Sequence, residues 1–129
     1  MKVLALDYGA ARTGVAVSDA TGTIAQPLDV VERAASRDGL ARVAEIVREH
    51  DVERVVVGLP LTLGGQHGSQ ALETEGFVRE LREALDVPVE TYDERFTTTL
   101  ASKDSGSAPE DARAAAHLLE SYLAWAGSR

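Results

Sequence analysis

Apolar residues follow two different patterns along the chain, and the two patterns predict strands and helices. Continuous or alternating apolar runs, bounded by glycine, proline or acidic residues, are typical of β-strands. Such runs occur at residues 2–8, 13–19, 23–33, 52–60 and 87–95. Apolar residues spaced three and four positions apart are typical of amphipathic helices. They occur at residues 36–51, 69–85 and 110–126.

The order of these segments predicts the fold class. Three strands come first, and the four residues 9–12 between the first two suit a hairpin. Helices then alternate with strands, which is typical of parallel strands joined by right-handed crossovers. We therefore expect an α/β protein with a mixed, mostly parallel five-stranded sheet and helices on both faces. With 129 residues and no linker or internal repeat, the chain is expected to form one domain over residues 1–129.

Capping residues mark the starts of two predicted helices. Ser36 precedes the first helix and can accept a hydrogen bond from a backbone N–H of its first turn. Before the last helix, Ser107 and Glu110 have the spacing of a capping box. The last helix therefore does not need Asp111 as a cap.

Acidic residues stand at the ends of the first and the last predicted strand. Asp7 ends the first apolar run, and Asp93 and Glu94 end the last one. In sheets of this topology, ligands and catalytic groups gather at the carboxyl ends of the central strands. We therefore expect these carboxylates to face the same end of the sheet.

The last helix supplies a further carboxylate, Asp111. Asp111 shares one helical stripe, at spacings of four, seven and eleven, with Ala115, Leu118 and Tyr122. This stripe places Asp111 on the side that faces the sheet. Hard cations prefer oxygen ligands, and a metal pair roughly 4 Å apart can clamp the attacking and leaving oxygens of a phosphodiester. We interpret Asp7, Glu94 and Asp111 as catalytic residues and as the ligands of a two-metal Mg²⁺ or Mn²⁺ site.

Each of these carboxylates also has an ordinary structural interpretation. Asp7 could simply end a strand ahead of a Tyr-Gly turn. Glu94 could form a surface ion pair with Arg95, and Asp111 could complement the helix dipole. The sequence leaves these interpretations open. Their joint placement at one end of the sheet is what favours a functional site.

Composition limits the classes of partner. The formal net charge of −8 argues against generic binding of nucleic acid, unless the thirteen basic residues cluster on one face. With no cysteine, the chain has no disulfide, thiolate metal ligand or cysteine nucleophile. No segment is long enough to span a bilayer, and Asp7 interrupts the N-terminal apolar run before it could serve as a secretory signal. We expect a cytoplasmic protein with no membrane role.

Other polar residues give weaker indications. His50, His67 and His117 are isolated, without the spacing of a zinc site. The glycine-rich stretch "GLPLTLGGQHG" lacks the lysine of a phosphate-binding P-loop. It is equally compatible with an exposed loop and with a substrate contact.

Four stretches in this order resemble a known family: "LDYGAARTGVAVSD", "VVGLPLTLGGQHG", "YDERFTT" and "EDARAAAHLLESYL". Through them, nearly the whole chain resembles the Holliday junction resolvases of the YqgF/RuvX type. The resemblance implies an RNase H-like fold and one nuclease domain over residues 1–129. It also implies an endonuclease that cuts phosphodiester bonds of branched DNA with Mg²⁺ or Mn²⁺. Some members of the family are linked instead to maturation of the 5′ end of 16S ribosomal RNA.

The resemblance also implies the residues of the site. Its first-strand aspartate falls on Asp7, the acid of its DER motif on Glu94, and the aspartate of its last helix on Asp111. These are the three carboxylates already selected by strand ends and helix phase. A symmetric homodimer would suit paired cuts on a two-fold junction.

Basic residues near these motifs are candidates for contacts with substrate phosphates. They are Arg12, Arg95 and Lys103. Related sequences carry a longer segment rich in lysine and arginine after the DER motif, whereas "TLASKDSGSAPED" is short and keeps only Lys103. Thr62 and Gly64 also stand where relatives often have asparagine and aspartate.

Two other functions are compatible with parts of the sequence. A strand, Asp-x-Gly and a hairpin also begin the actin-like sugar kinases and ATPases, whose turn wraps nucleotide phosphates. Those folds need two lobes, and 129 residues supply one. A non-catalytic module that binds RNA or protein would fit the acidic composition and the short segment before the last helix.

Overall fold

The apolar runs form the strands that their pattern predicts. The computed structural model describes residues 1–62, 64–96 and 108–127. Within these residues the strands are β1 (Val3–Asp7), β2 (Arg12–Ser18), β3 (Ala25–Glu32), β4 (Arg54–Leu59) and β5 (Val89–Asp93). The α-helices are α1 (Arg37–Glu49), α2 (Ser69–Ala84) and α3 (Glu110–Gly127), and a short 3₁₀ turn covers Glu94–Phe96. Every predicted segment is confirmed, with ends that differ by a few residues.

The strands form one mixed sheet in the order β3-β2-β1-β4-β5. β1 pairs antiparallel with β2, and β2 pairs antiparallel with β3. β4 joins β1 in parallel and β5 joins β4 in parallel, because α1 and α2 carry the chain back to the start of each strand. The sheet is mixed, as predicted. It is not mostly parallel, because two of the described strand pairings are parallel and two are antiparallel. The antiparallel pairings arise because hairpins place β2 and β3 on one side of β1.

Side chains alternate along each strand, so the sheet buries two faces. One face packs against α1 and α2 through the apolar cluster that includes Leu4, Leu6, Val15, Val55, Val57, Val43, Ile46, Phe77 and Leu81. The other face packs against α3 through the cluster that includes Val3, Ala5, Ala16, Val56, Ala115, Leu119 and Tyr122. The expected helices on both faces are confirmed, and each buried face contributes to the hydrophobic stabilisation of the sheet.

Two helix predictions can be compared with the structure in detail. Ser36 caps α1, because its hydroxyl oxygen accepts a hydrogen bond from the Gly39 backbone N–H at 3.0 Å. In α3 the predicted apolar stripe is buried against the sheet. The predicted cap at Ser107 lies outside the described residues. Among the described helices, none has the length and apolarity needed to cross a membrane.

Candidate active site

Asp7 occupies the carboxyl end of the central strand β1. It pairs with Gly14 of β2 and lies on the same face as Val3 and Ala5, which pack against α3. The side chain is half-buried rather than exposed. Asp7 therefore points to the face of the sheet that α3 covers, at the end of the sheet where α3 begins.

Glu94 reaches Asp7 from two strands away. It is the first residue of the 3₁₀ turn after β5, and β4 lies between β5 and β1. The two carboxyl groups share a side-chain hydrogen bond. The structure thus brings together two of the three carboxylates that the sequence predicts.

Gly58 of β4 makes this contact possible. A methyl group at Gly58 would place its carbon 2.5 Å from Oε1 of Glu94 and 3.0 Å from Cδ2 of Leu118. Any side chain here would therefore occupy the space through which Glu94 crosses β4. Sequence reasoning missed Gly58, although a glycine inside a strand run often marks such a close approach.

Asp111 lies beside Asp7 because α3 starts directly over β2. A methyl group at Gly14 would place its carbon 1.8 Å from the backbone oxygen of Asp111, so only glycine admits the helix this closely. The Asp111 carboxylate pairs with Nε of Arg12 at 3.1 Å and is 41% exposed. Its charge still helps to raise the pKa of Asp7. Gly14, which positions this helix end, was also missed by the sequence analysis.

The two carboxyl groups in contact have unusual protonation. Burial, followed by the charges of Asp7 and Asp93, raises the pKa of Glu94 to about 7. Burial also raises the pKa of Asp7, and the hydrogen bond from Glu94 opposes that rise. The proton of the pair therefore resides on Glu94, and Asp7 accepts its hydrogen bond. Such closely placed acids need a proton or a cation between them at neutral pH.

The predicted phosphate contacts lie at the border of this site but are already paired. Arg12 binds Asp111, as described above. Arg95 binds Asp93 through Nη2 at 2.6 Å and through Nε at 2.9 Å, which lowers the pKa of Asp93. Lys103 lies outside the described residues. Arg12 and Arg95 as contacts with substrate phosphates stay predictions.

The donor chemistry of the site fits a hard divalent cation, because carboxylate oxygens are the ligands that Mg²⁺ and Mn²⁺ prefer. Asp7 and Glu94 already converge. Within the described parts of the chain, no three histidine, cysteine or acidic side chains form a group that could hold a metal ion. Asp111 is directed to Arg12 instead. The three-carboxylate metal site therefore stays a prediction, supported by two side chains in contact and a third nearby.

Comparison with known proteins places the chain in a family. The family model described as "RuvX: Holliday junction resolvase" matches residues 1–125. The chain belongs to the RuvX family. This membership confirms the resemblance inferred from the four sequence stretches and makes the chain a Holliday junction resolvase-like nuclease.

Curated relatives of this RuvX-family chain carry a different name. "Putative pre-16S rRNA nuclease" from Desulforudis audaxviator (strain MP104C) is 43% identical over 132 residues, which cover 95% of this chain and 94% of the relative. A protein of the same name from Chloroflexus aggregans (strain MD-66 / DSM 9485) is 41% identical over 130 residues, covering 94% and 92%. The family description thus refers to branched DNA, and the names of these relatives refer to RNA.

Solved structures confirm the fold of the RuvX-family chain. "T. thermophilus RuvC in complex with Holliday junction substrate" superposes with a TM-score of 0.67 at 20% identity, covering 99% of this chain and 96% of that chain. "Thermus thermophilus RuvC structure" superposes with a TM-score of 0.61 at 21% identity, covering 98% and 97%. At these identities the likeness shows the RNase H-like fold alone.

Proposed function

We propose that this protein is a divalent-metal-dependent endonuclease that hydrolyses phosphodiester bonds in branched DNA. The observation that carries the proposal is the contact between Asp7 and Glu94 across Gly58, with Asp111 beside them on α3. Burial makes it unfavourable for the fold to ionise all of these acids together without a cation. A cation-binding role explains why the chain keeps three acids at one sheet end.

In this proposal the carboxylates bind the cation and the neighbouring arginines bind the substrate phosphate. Asp7, Glu94 and Asp111 would hold Mg²⁺ or Mn²⁺, in one or two positions. Such an ion, when bound, lowers the pKa of an attacking water and stabilises the charge on the leaving oxygen. Glu94 has to release its proton before it can bind a cation, because only the ionised carboxylate is a good ligand. Arg12 and Arg95 stand beside the carboxylates, where their guanidinium groups are suited to hold the substrate phosphate.

A second substrate class is favoured by a specific observation. Relatives at 43% and 41% identity are named for precursor 16S rRNA. The same carboxylates would cut either polymer, because the reaction at the phosphodiester is the same. We therefore keep processing of the 5′ end of precursor 16S rRNA as the alternative to cleavage of branched DNA. We also infer a cytoplasmic location, which suits either substrate, and a symmetric homodimer, which would suit the two-fold junction.

One experiment tests the activity and the substrate together. The purified protein is incubated with a four-way DNA junction, with duplex DNA and with precursor 16S rRNA, each in Mg²⁺, Mn²⁺, Ca²⁺ or excess chelator. We expect cleavage in Mg²⁺ or Mn²⁺ and none in Ca²⁺, which tolerates irregular coordination and aligns the water poorly. Preferential cutting of precursor rRNA would select the alternative substrate. Cutting in chelator would contradict metal dependence, and binding without any cutting would identify a non-catalytic module.

A further inference from the structure

A groove runs along α2 on the face of the sheet opposite the carboxylates. Its volume is about 330 Å³, and its described lining includes Leu59, His67, Arg79, Arg82 and Thr91. Leu59 ends β4 and pairs with Asp93, the residue before Glu94. The groove therefore begins at the same strand ends as the candidate active site and continues away from it along β5.

The two arginines of α2 lie on the side of the helix away from Tyr8. Glu73 and Glu80 lie near Tyr8, the residue after β1, because burial and then the charges of these two glutamates raise the pKa of Tyr8. Tyr8 in turn stacks on Phe77, with ring centroids 4.4 Å apart. Arg79 and Arg82 lie on the other side of the helix and line the groove beside β5. Both arginines of α2 therefore lie on the β5 side, where they favour binding of an anion.

The arginines of the groove are not neutralised by carboxylates. Neither Arg79 nor Arg82 forms an ion pair with any acidic side chain in the described parts of the chain. Other arginines do form such pairs, namely Arg12, Arg42, Arg54 and Arg95. The positive charge of the groove is therefore available to an external anion on a chain with a net charge of −8.

Arg82 is also held in place. Its Nε and Nη2 atoms donate hydrogen bonds to the Val89 carbonyl oxygen at 3.0 and 2.9 Å. This fixes the guanidinium plane against β5 and leaves Nη1 for another acceptor. A pre-positioned arginine loses less side-chain entropy when it binds a phosphate.

The acidic residue of the groove is already engaged. Of the described lining residues, Glu75 alone is acidic, and its Oε1 lies 2.6 Å from Nδ1 of His67. Thr91 adds an exposed hydroxyl on the β5 side. Two guanidinium groups and a hydroxyl around a small groove form a suitable site for a phosphodiester.

We propose that this groove binds a backbone phosphate of the nucleic acid strand that continues from the cut, and so forms a second contact site beyond the carboxylates. The inference rests on the proposed nuclease function, because it assumes that a nucleic acid strand leaves the active site around the end of β5. It assigns Arg79 and Arg82 to binding and not to the reaction.

The test compares two variants with the same change in charge. Arg79→Gln/Arg82→Gln removes the groove cations, and Arg37→Gln/Arg48→Gln removes two exposed cations of α1 that lie elsewhere. Binding of a fluorescein-labelled four-way DNA junction and of a labelled RNA copying the 5′ end of precursor 16S rRNA is measured by anisotropy in Ca²⁺ over a range of NaCl concentrations. Cleavage of the same probes in Mg²⁺ is measured in parallel.

We expect the groove variant to bind about 5- to 10-fold more weakly and the control to change less than about twofold. The slope of log affinity against log salt should become shallower by about 0.7 to 0.9 for each phosphate that the groove no longer neutralises. Equal effects of the two variants, or an unchanged slope in the groove variant, would overturn the proposal. If wild type cuts while the groove variant binds normally, the groove alone is refuted. If wild type neither binds nor cuts these probes, the proposed function fails as well.

The double variant could lose stability, because Arg82 also contacts the Val89 backbone. The single variant Arg79→Gln controls for such a folding defect, because Arg79 is exposed on α2. This single variant should melt at the wild-type temperature. Its slope of log affinity against log salt should still be shallower by about 0.7 to 0.9, the contribution of one phosphate. Arg79→Lys keeps the charge but not the planar fork, so we expect it to recover the slope more fully than the affinity. A normal slope in Arg79→Gln would remove Arg79 from the site.

Discussion

The two ends of the β1–β2 pair carry aspartates in opposite environments. Asp19 follows β2 at the end where β1 begins, and its carboxylate accepts backbone hydrogen bonds from Thr23 at 2.8 Å and Ile24 at 2.9 Å, and another from the Thr21 hydroxyl. These donors hold the pKa of Asp19 well below its usual range. At the other end, Asp7 faces Glu94, and burial raises the pKa of both.

The contrast separates a structural carboxylate from a ligand-binding one. Donors around Asp19 stabilise its negative charge, so the turn needs nothing from outside the chain. Asp7 and Glu94 are partly buried and share one proton, so ionising both of them is unfavourable without a cation. Groups with perturbed pKa values of this kind cluster at functional sites. Asp7 and Asp19 belong to the same sequence stretch. Their surroundings, and not their residue type, distinguish the two roles.

The largest expected effect comes from Asp7→Asn. It keeps the shape of the side chain but removes a proposed metal ligand and the charge that Asp111 repels. We expect cleavage to fall more than about a hundredfold, beyond the 10–100-fold typical of losing an outer-shell partner. The melting temperature in chelator should stay equal or rise, because Asn can still accept the hydrogen bond from Glu94 and no longer carries the charge that Asp111 repels. Activity assays with Mg²⁺ and thermal melts with and without Mg²⁺ measure the two effects.

Asp19→Asn is the matched control for activity. It changes the same residue type in the same stretch and should leave cleavage within about twofold of wild type, because Asp19 lies at the opposite end of the sheet. Full activity of Asp7→Asn would exclude Asp7 from the site. If Asp7→Asn is inactive but also melts far below wild type, misfolding accounts for the loss of activity. That result would contradict the expectation that the variant keeps its fold.

The second prediction compares the two glycines that bring the acids together. Gly14→Ala should destabilise the protein by about 1–3 kcal/mol, because its new methyl group meets the rigid backbone of Asp111. Gly58→Ala meets the movable end of Glu94, so we expect a smaller loss of stability. Both variants should lose activity. Denaturant unfolding and cleavage assays distinguish them, and normal activity in Gly58→Ala would show that the Asp7–Glu94 contact is dispensable.

The third prediction concerns the stability that Asp19 supplies. Its folded pKa is lowered, so its contribution is present above the unfolded value of about 3.9 and is lost as pH falls toward the folded pKa. Asp19→Asn should therefore melt below wild type at neutral pH. The difference should narrow as the pH is lowered from about 5 toward about 3. A difference that stays constant over this range would show that shape and not charge holds the turn.

The smallest expected effect is a loss of stability as the pH rises, which is opposite to the effect of Asp19. The folded pKa of Glu94 is raised to about 7, so the protonated form favours folding below the unfolded pKa and that advantage is lost as pH rises through about 7. In chelator, wild type should lose melting temperature between pH 5 and about pH 8 relative to Glu94→Gln. Mg²⁺ affinity of wild type should rise over the same interval, since binding releases the proton. Melting temperatures of wild type and Glu94→Gln that change in parallel with pH would contradict the role of Glu94.

The sequence predicted local features well and contacts between distant segments less well. Ser36 was identified as a helix cap because the cap and the helix are neighbours in the chain. Asp7 and Asp111 were assigned to one end of the sheet by strand order and helix phase. The contact of Glu94 with Asp7 requires a glycine in the intervening strand, Gly58, and no local pattern specifies which side chain crosses there.

The pairing of basic residues was also beyond the sequence. Arg12 and Arg95 were expected to contact phosphates, and in the structure each binds an aspartate. Arg79 and Arg82 are not among the residues predicted from the sequence, and α2 also carries four glutamates. Only the packing of α2 against β5 shows that both arginines of this helix line one groove. Ion pairs depend on distances of a few ångströms between segments, which residue spacing does not determine.

The hydrogen bonds from Arg82 to Val89 also bear on solubility. β5 is an outer strand, and the open edge of a sheet is a template for strands of other molecules, which leads to aggregation. Arg82 occupies a carbonyl group of this strand and adds a charge beside it, two features that oppose such pairing. On the other outer strand, β3, Pro27 has no N–H group to offer an incoming chain. Both borders of the sheet thus discourage growth into larger assemblies at high protein concentration.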